Sequence, residues 1–229
     1  MKTRFFTVTV ILMFTAVALQ AQVTFGIAGG ANFQNFTGKA ADDSKLDNGL
    51  ITSFHLGARA NIPVADEFWF QPGLLYSQKG ANIYSYVAID KAASYDYNAT
   101  ARICYIEVPM NLLYRPQLGK GHVLLGFGPY IAFGVRGKET YDDLPIDERK
   151  IKFKSPVEPE EFFGTEYAYY RRFDAGANIY AGYELEMGLF FQFNTQLGLL
   201  KVNPEIEDFD TGEWAARNTG FGLSVGYNF

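Results

Sequence analysis

"VLLGFGPYIAFGV", Val123 to Val135, is the longest nearly uncharged apolar stretch beyond the N-terminal segment. Three glycines and a proline interrupt it, and it falls short of the roughly 20 residues that a transmembrane helix needs. Taken two residues at a time it is regular. Val123, Leu125, Phe127, Pro129, Ile131, Phe133 and Val135 share one face, which carries no polar side chain. Leu124, Gly126, Gly128, Tyr130, Ala132, Gly134 and Arg136 share the other. Strict alternation marks a strand with one oily surface. If this chain enters a membrane, it must do so as strands paired into a closed barrel.

The pattern recurs outward from this segment. In Ile51 to Ile62, the residues Thr52, Phe54, Leu56, Ala58, Ala60 and Ile62 oppose Ser53, His55, Gly57, Arg59 and Asn61. In Arg171 to Leu185 an oily face that includes Phe173, Ile179 and Leu185 opposes Arg172, Asp174, Gly176, Asn178, Tyr180, Gly182 and Glu184. Strands are predicted at Val23 to Phe33, Ile51 to Ile62, Phe68 to Ser77, Ala99 to Arg115, His122 to Arg136, Arg171 to Leu185, Leu189 to Leu199 and Asn218 to Phe229. The connections alternate in length. Gln34 to Leu50, Gln78 to Asn98, Gly137 to Tyr170 and Leu200 to Arg217 are long, whereas Pro63 to Glu67, Pro116 to Gly121 and Glu186 to Gly188 are short. Long loops confined to one end fit an outer-membrane barrel, with tight periplasmic turns and longer outer loops. The expected fold is therefore all-β: an eight-stranded antiparallel up-and-down transmembrane β-barrel. A soluble lipocalin-like barrel is the alternative, and it would turn its oily face inward. A glycine-rich polar face suits a narrow lumen, and Val123, Leu125, Phe127, Ile131, Phe133 and Val135 suit a wall against lipid.

Both ends of the chain carry further signals. Lys2 and Arg4 precede an apolar run from Phe5 to Val17 and small-residue cleavage points around Ala18 and Ala21, which is the pattern of a secretory signal peptide. Residues 1–21 are expected to be the signal and 22–229 the barrel domain, with a start near Leu19 or an uncleaved anchor as alternatives. At the other end "GFGLSVGYNF" sets Phe221, Leu223, Val225, Tyr227 and Phe229 on one face. A barrel consumes its last strand by pairing it with its first. A terminal strand closing on Phe also resembles the signal read by the outer-membrane barrel assembly machinery. Loss of Lys2 and Arg4 moves the formal net charge from −5 to −7, which disfavours a nucleic-acid partner, since phosphate binding needs a basic patch. The one cysteine, Cys104, cannot form an intramolecular disulfide.

Five stretches carry a family resemblance: "FQPGLLYSQKG" from Phe70, "CYIEVPMNLLYRP" from Cys104, "GFGPYIAFGVRGK" from Gly126, "RRFDAGANIYAGYEL" from Arg171 and "FNTQLGLLKVN" from Phe193. Together they resemble the PorT-like outer-membrane β-barrel family of Gram-negative bacteria, in order along the mature chain. Tyr105-Ile106-Glu107-Val108-Pro109 is similar to the family's Tyr-Leu-Glu-Ile-Pro pattern. The resemblance implies a barrel in the outer membrane, described loosely as porin-like, and for some members an association with protein secretion. It implies no catalytic motif and no cofactor.

The polar face supplies the candidate sites. Arg59, Glu107, Arg115, Arg136, Arg172, Asp174 and Glu184 are all expected to point into the lumen. Arg59, Arg115 and Glu184 fall near the periplasmic end, while Arg136, Arg172 and Asp174 fall near the outer end, so opposite charges share a level. Structural pairs are favoured over a transport path, because an eight-stranded barrel is only wide enough for side chains to fill it. Tyr105, Tyr130 and Tyr180 add bulk there. Ser53 and His55 share a face, but neither an orienting group nor an enzyme motif accompanies them. The loops hold the acids, among them Asp42, Asp43, Asp47, Asp142, Asp147, Glu148, Glu160, Glu161 and "EIEDFD" from Glu205. Their spacing matches no calcium loop, so no metal is expected. The expected partners are outer-membrane lipid, the assembly machinery and an envelope or secretion complex. The expected role is a non-enzymatic barrel acting in surface interaction, envelope integrity or such a complex, with a secretion component and a small-solute channel as alternatives.

Overall fold

In a computed structural model the described residues are 23–90, 93–142, 147–164, 166–208, 212 and 214–229. The expected signal segment lies outside them. Eight strands build the wall: β1 (Thr24–Lys39), β2 (Ile51–Ala65), β3 (Phe68–Asp90), β4 (Ala93–Tyr114), β5 (Gly121–Tyr141), β6 (Phe173–Leu185), β7 (Leu189–Gly198) and β8 (Ala215–Asn228). Each pairs antiparallel with its neighbour in sequence, and β8 closes on β1, with Gly26 opposite Asn228 and Lys39 opposite Ala215. Closure leaves the wall without an open edge, a condition for backbone in lipid. Among the described residues no helix is long and apolar enough to cross a membrane.

Alternation is expressed as burial. Leu125, Phe127, Ile131, Phe133 and Val135 are exposed on the outer wall and Val123 is half-buried, while Leu124, Tyr130 and Ala132 are buried inside. On the closing strand Phe221, Leu223, Val225, Tyr227 and Phe229 also face outward. Aromatic residues gather at both rims of this oily belt. Phe33 stacks on Phe221 at 5.1 Å and Phe54 meets Tyr76 at 5.9 Å toward the loop end. Phe68 meets Tyr114 at 5.0 Å and Tyr227 meets Phe229 at 5.3 Å at the turn end. Two aromatic girdles flanking an apolar band are the signature of a barrel in a bilayer. The long loops gather at one end of the barrel and the short turns at the other, the division into outer loops and periplasmic turns usual for outer-membrane barrels.

Inside, glycines make room for rings. A Cβ on Gly126 would lie 2.0 Å from the Tyr180 ring, and one on Gly226 would lie 2.1 Å from the Phe190 ring. Those glycines let Tyr180 and Phe190 cross the lumen and, with Leu113 and Leu124, close its periplasmic half. The outer half is closed from above. The ladder Glu148–Phe153 pairs antiparallel with β5 and parallel with Tyr167–Tyr170. Its Ile151, with Ala168, Tyr170 and Val202, packs on Phe36, Tyr105 and Tyr130 of the wall.

The four long connections expected as loops are strand in part, Gln34 to Lys39 extending β1 and Ala215 to Arg217 beginning β8. Gln78 to Asn98 largely continues β3 and β4, because the inward series Ser77, Lys79, Ala81 carries the alternation past Ser77. Gly80 marks the point where loop chemistry suggests itself: its φ is +150°, and a Cβ there would fall 1.9 Å from the Ala101 carbonyl oxygen. Likewise Gly137 to Tyr170 begins with the end of β5 and contains the Glu148–Phe153 ladder.

Candidate functional site: a layered lumen

Polar side chains inside the barrel form two ionic layers separated by a small cavity. In the first layer Lys79 on β3 lies between Glu107 on β4 and Asp174 on β6, at 2.9 and 3.2 Å. Asp174 Oδ2 also accepts from the Tyr130 hydroxyl at 3.1 Å and from the Asn218 amide at 2.9 Å. Gln196 donates to Glu107 at 2.8 Å. The Lys79 ammonium sits 3.9 Å from the centre of the Tyr130 ring, a cation–π contact in a dry site. Lys79, Tyr105, Tyr130 and Asp174 have no accessible surface. Two carboxyl groups face one lysine in this layer, and the tyrosine and amide donors supply their further hydrogen bonds.

The second layer stands at the turn end. Arg115 grips Glu184 through two bonds, Nε at 3.0 Å and Nη2 at 2.9 Å, the bidentate form that makes arginine–carboxylate pairs strong. Asn228 donates to Glu184 at 3.0 Å and accepts from Arg59 at 3.4 Å. Arg59 bonds Gln192 at 3.2 Å and lies 3.8 Å over the Phe190 ring. At this level Arg115 meets Glu184 directly, and Arg59 is joined to Glu184 through Asn228.

The outer level requires correction. Arg136 and Arg172 do not enter the lumen. The β4–β5 register slips between Cys104 and Tyr105, so Cys104 faces Arg136 but Tyr105 faces Gly134. That bulge inserts a residue, reverses the alternation and turns Arg136 outward, where it bonds the Tyr76 hydroxyl at 3.0 Å. Arg172 precedes β6 in a bend, so strand parity does not govern it, and it lies 5.4 Å from the Phe133 ring and 5.3 Å from the Phe153 ring. Asp174 is in the lumen, but its cation is Lys79. Sequence reasoning missed Lys79 by assigning it to a loop. The available signal was the inward series Leu75, Ser77, Lys79, Ala81, which continues the strand past Ser77.

Between the layers, a cavity of about 90 Å³ is lined by amides and hydroxyls from Gln34, Asn111, Asn178, Asn194, Gln196 and Ser224. Gln34 Oε1 and Asn111 Oδ1 have no hydrogen-bond partner within the protein, and the space is polar and large enough for water. His55 is buried here, and Ser53 is not its partner, since Ser53 donates to the Gln78 carbonyl at 2.7 Å. Instead Ser224 Oγ lies 3.0 Å from His55 Nε2, and His55 Nδ1 lies 2.8 Å from Asn32 Oδ1. That is the spacing of a nucleophile, a base and an orienting group. Two features separate it from a hydrolytic site. The adjoining β1, β2 and β8 backbone is taken up in ladder pairs, Ala31 with Leu223 and Phe54, whereas acyl transfer needs free amides aimed at the developing oxyanion. The cavity is also far below the volume of an ordinary ligand pocket. Among the described residues no group of three His, Cys, Asp or Glu side chains could hold a metal ion.

A closed barrel with an oily wall, aromatic girdles and a packed interior defines an integral outer-membrane β-barrel protein. The chain belongs to the outer membrane protein β-barrel domain family, whose model matches residues 20–203. Among solved structures it is similar to a major outer membrane protein from Thermus thermophilus, at 12% identity over 91% of this chain and 100% of that one, with a TM-score of 0.44. It is also similar to Ail, the attachment invasion locus protein of Yersinia pestis, at 12% identity over 90% of this chain and 99% of that one, with a TM-score of 0.40. No curated protein matches the chain.

Proposed function

We propose that this protein is a closed, non-enzymatic barrel of the outer membrane that acts through its outer loops and its lipid-facing wall, in surface interaction, envelope integrity or an envelope complex. The observation that carries this reading is the sealed Lys79–Glu107–Asp174 layer with the fully buried rings of Tyr105 and Tyr130 beside it. An eight-stranded barrel has room for such side chains or for a water path, not for both. The purified protein in planar bilayers is expected to give no steady single-channel conductance. A uniform, long-lived conductance from the monomer would overturn the reading in favour of a small-solute channel.

The PorT-like resemblance adds a second possibility within the same class, a component of a secretion complex. Its partners would meet the loops or the wall, and stable co-purification in mild detergent would favour it over a solitary surface role. The closing strand is further proposed as an address for the assembly machinery. Phe229 is largely exposed, and its amide bonds the Phe25 carbonyl at 2.8 Å. Deleting Phe229 is expected to lower the folded yield in outer-membrane fractions, measured by heat-modifiable gel mobility, more than Phe127→Ala. Equal yields would remove the address.

A further inference from the structure

We propose that the Lys79–Glu107–Asp174 layer holds a resident monovalent cation of the sodium class, bound by Asp174 Oδ1, Asn218 Oδ1 and the Tyr105 hydroxyl. The argument begins with the unequal surroundings of two oxygens. Asp174 Oδ2 has three donors, the Lys79 ammonium at 3.2 Å, the Tyr130 hydroxyl at 3.1 Å and the Asn218 amide at 2.9 Å. Asp174 Oδ1, on the same carboxyl group, has none. Asn218 repeats the asymmetry, since its Nδ2 is taken by Asp174 while its Oδ1 meets no donor. The Tyr105 hydroxyl, beside both residues, is likewise without a hydrogen-bond partner. Asp174, Asn218 and Tyr105 are all 0% exposed. Buried polar atoms are normally satisfied, and here three oxygens from β4, β6 and β8 fail together in one layer.

Charge gives the second argument. Both oxygens of Glu107 are engaged, Oε2 by Lys79 at 2.9 Å and Oε1 by Gln196 at 2.8 Å. Among the described residues no basic side chain other than Lys79 lies within ion-pair distance of Glu107 or Asp174. With both carboxyl groups ionised the layer is one positive charge short, and an uncompensated buried charge is costly. A monovalent ion closes that gap, whereas a divalent ion would overshoot it against the Lys79 ammonium. Donors that are all oxygen, without nitrogen or sulfur, suit a hard cation. Full burial of the three side chains favours the smaller sodium ion over potassium. The ion serves Asp174 from its unbonded oxygen, and Lys79 remains the cation between the two carboxyl groups.

The test is made on the full-length protein refolded in detergent, in sodium chloride or, at equal ionic strength, in the chloride of N-methylglucamine, a cation too large for the layer. The thermal midpoint, read by heat-modifiable gel mobility, should be higher in sodium and should climb with its concentration, as binding to the folded state alone requires. Tyr105→Phe, which removes one oxygen and keeps the ring, should raise the sodium concentration needed for a given shift about tenfold. Asp174→Asn should abolish the response, and Lys154→Gln in the outer loop should leave it unchanged. In crystals of protein refolded in thallium(I) nitrate, thallium standing in for the monovalent ion, an anomalous peak is expected within coordination distance of Asp174 Oδ1. Equal midpoints of the wild-type protein in the two chlorides would assign the three oxygens to a water or a proton and overturn the cation, even if the variants fail to fold. A thallium map with no peak between Asp174, Asn218 and Tyr105 would overturn it as well. The ion is resident rather than transported, so the bilayer test of closure is decided separately from this one.

Discussion

The two ionic layers of the lumen use the same chemistry in opposite surroundings. In the inner layer the side chains of Lys79 and Asp174 are 0% exposed and that of Glu107 is 3% exposed. In the periplasmic layer the Arg115 side chain remains 24% exposed, beside a mouth of about 330 Å³ that also touches Asn228 and Glu184. Solvent reaches the periplasmic layer through this mouth, whereas the Lys79 and Asp174 side chains are closed off from it. Where water is excluded, removing a partner strands a charge that nothing can solvate. Where water enters, it replaces part of what the partner supplied.

The sharpest way to break the comparison is therefore Lys79→Met, which leaves Glu107 and Asp174 facing each other without a cation. A destabilisation of about 3–5 kcal/mol is expected, by the usual cost of breaking a buried pair, in a urea refolding titration followed by heat-modifiable mobility. Replacing the whole layer, as Lys79→Met with Glu107→Gln and Asp174→Asn, should recover most of that loss because no charge remains buried. A triple variant as unstable as the single one would mean that packing, not charge, sets the cost.

Glu184→Ala is the matching change at the wet layer. It frees Arg115 at the mouth and removes the acceptor for the Asn228 amide, leaving Arg59 joined to Asn228, Gln192 and Phe190. The expected loss is about 1–3 kcal/mol, the cost of an unpaired polar group that water reaches in part, and the barrel should stay closed. A loss equal to that of Lys79→Met would show that the mouth is as dry as the inner layer.

The legibility of the two layers in the sequence follows their chemistry. Arg59, Arg115 and Glu184 lie within clean alternating segments, so their level could be read from parity and strand direction alone. The inner layer could be read only in half. Glu107 and Asp174 have the right parity, but their lysine sits beside Gly80, where glycine and charge imitate a loop. Arg136 failed for a different reason. A single bulge at Val135 reverses every later position on β5, and nothing in the local sequence marks it. The barrel itself was legible because its signal, period two with long and short connections in turn, is repeated around the wall and survives one slip. The Asn32–His55–Ser224 contact was not legible at all, since only closure of β8 on β1 brings Ser224 to the histidine.

The smallest effect is expected where the same charges stand in solvent. In the outer loop Lys154 bonds Glu161, Lys152 lies 3.7 Å from it, and Lys138 pairs with Glu148 at 2.8 Å. The bond from Lys154 holds the Glu161 carboxyl below its ordinary value of 4.5, and the bond from Lys138 does the same for Glu148. A carboxyl depressed in the folded state contributes stability above its unfolded value, and that contribution disappears as pH falls through the folded value. Lys154 is raised by its bond to Glu161, so its share is present below its unfolded value of 10.5 and lost as pH rises through the folded one. The ladder Glu148–Phe153 and the turn Pro159–Phe162 should therefore hold together at neutral pH and loosen below about pH 4.5, while the barrel wall, held by its continuous ladder of backbone pairs, keeps its fold. Amide hydrogen exchange corrected for intrinsic rates checks this, with protection across residues 148–162 expected to drop at about pH 3.5 relative to about pH 7 and protection in β5 and β6 to stay. Raised salt should mimic part of the loss, because exposed pairs are screened and buried ones are not. Protection of the ladder that ignores both pH and salt would assign its order to Ile151 and Tyr170 beneath it, and the exposed pairs would then contribute nothing measurable.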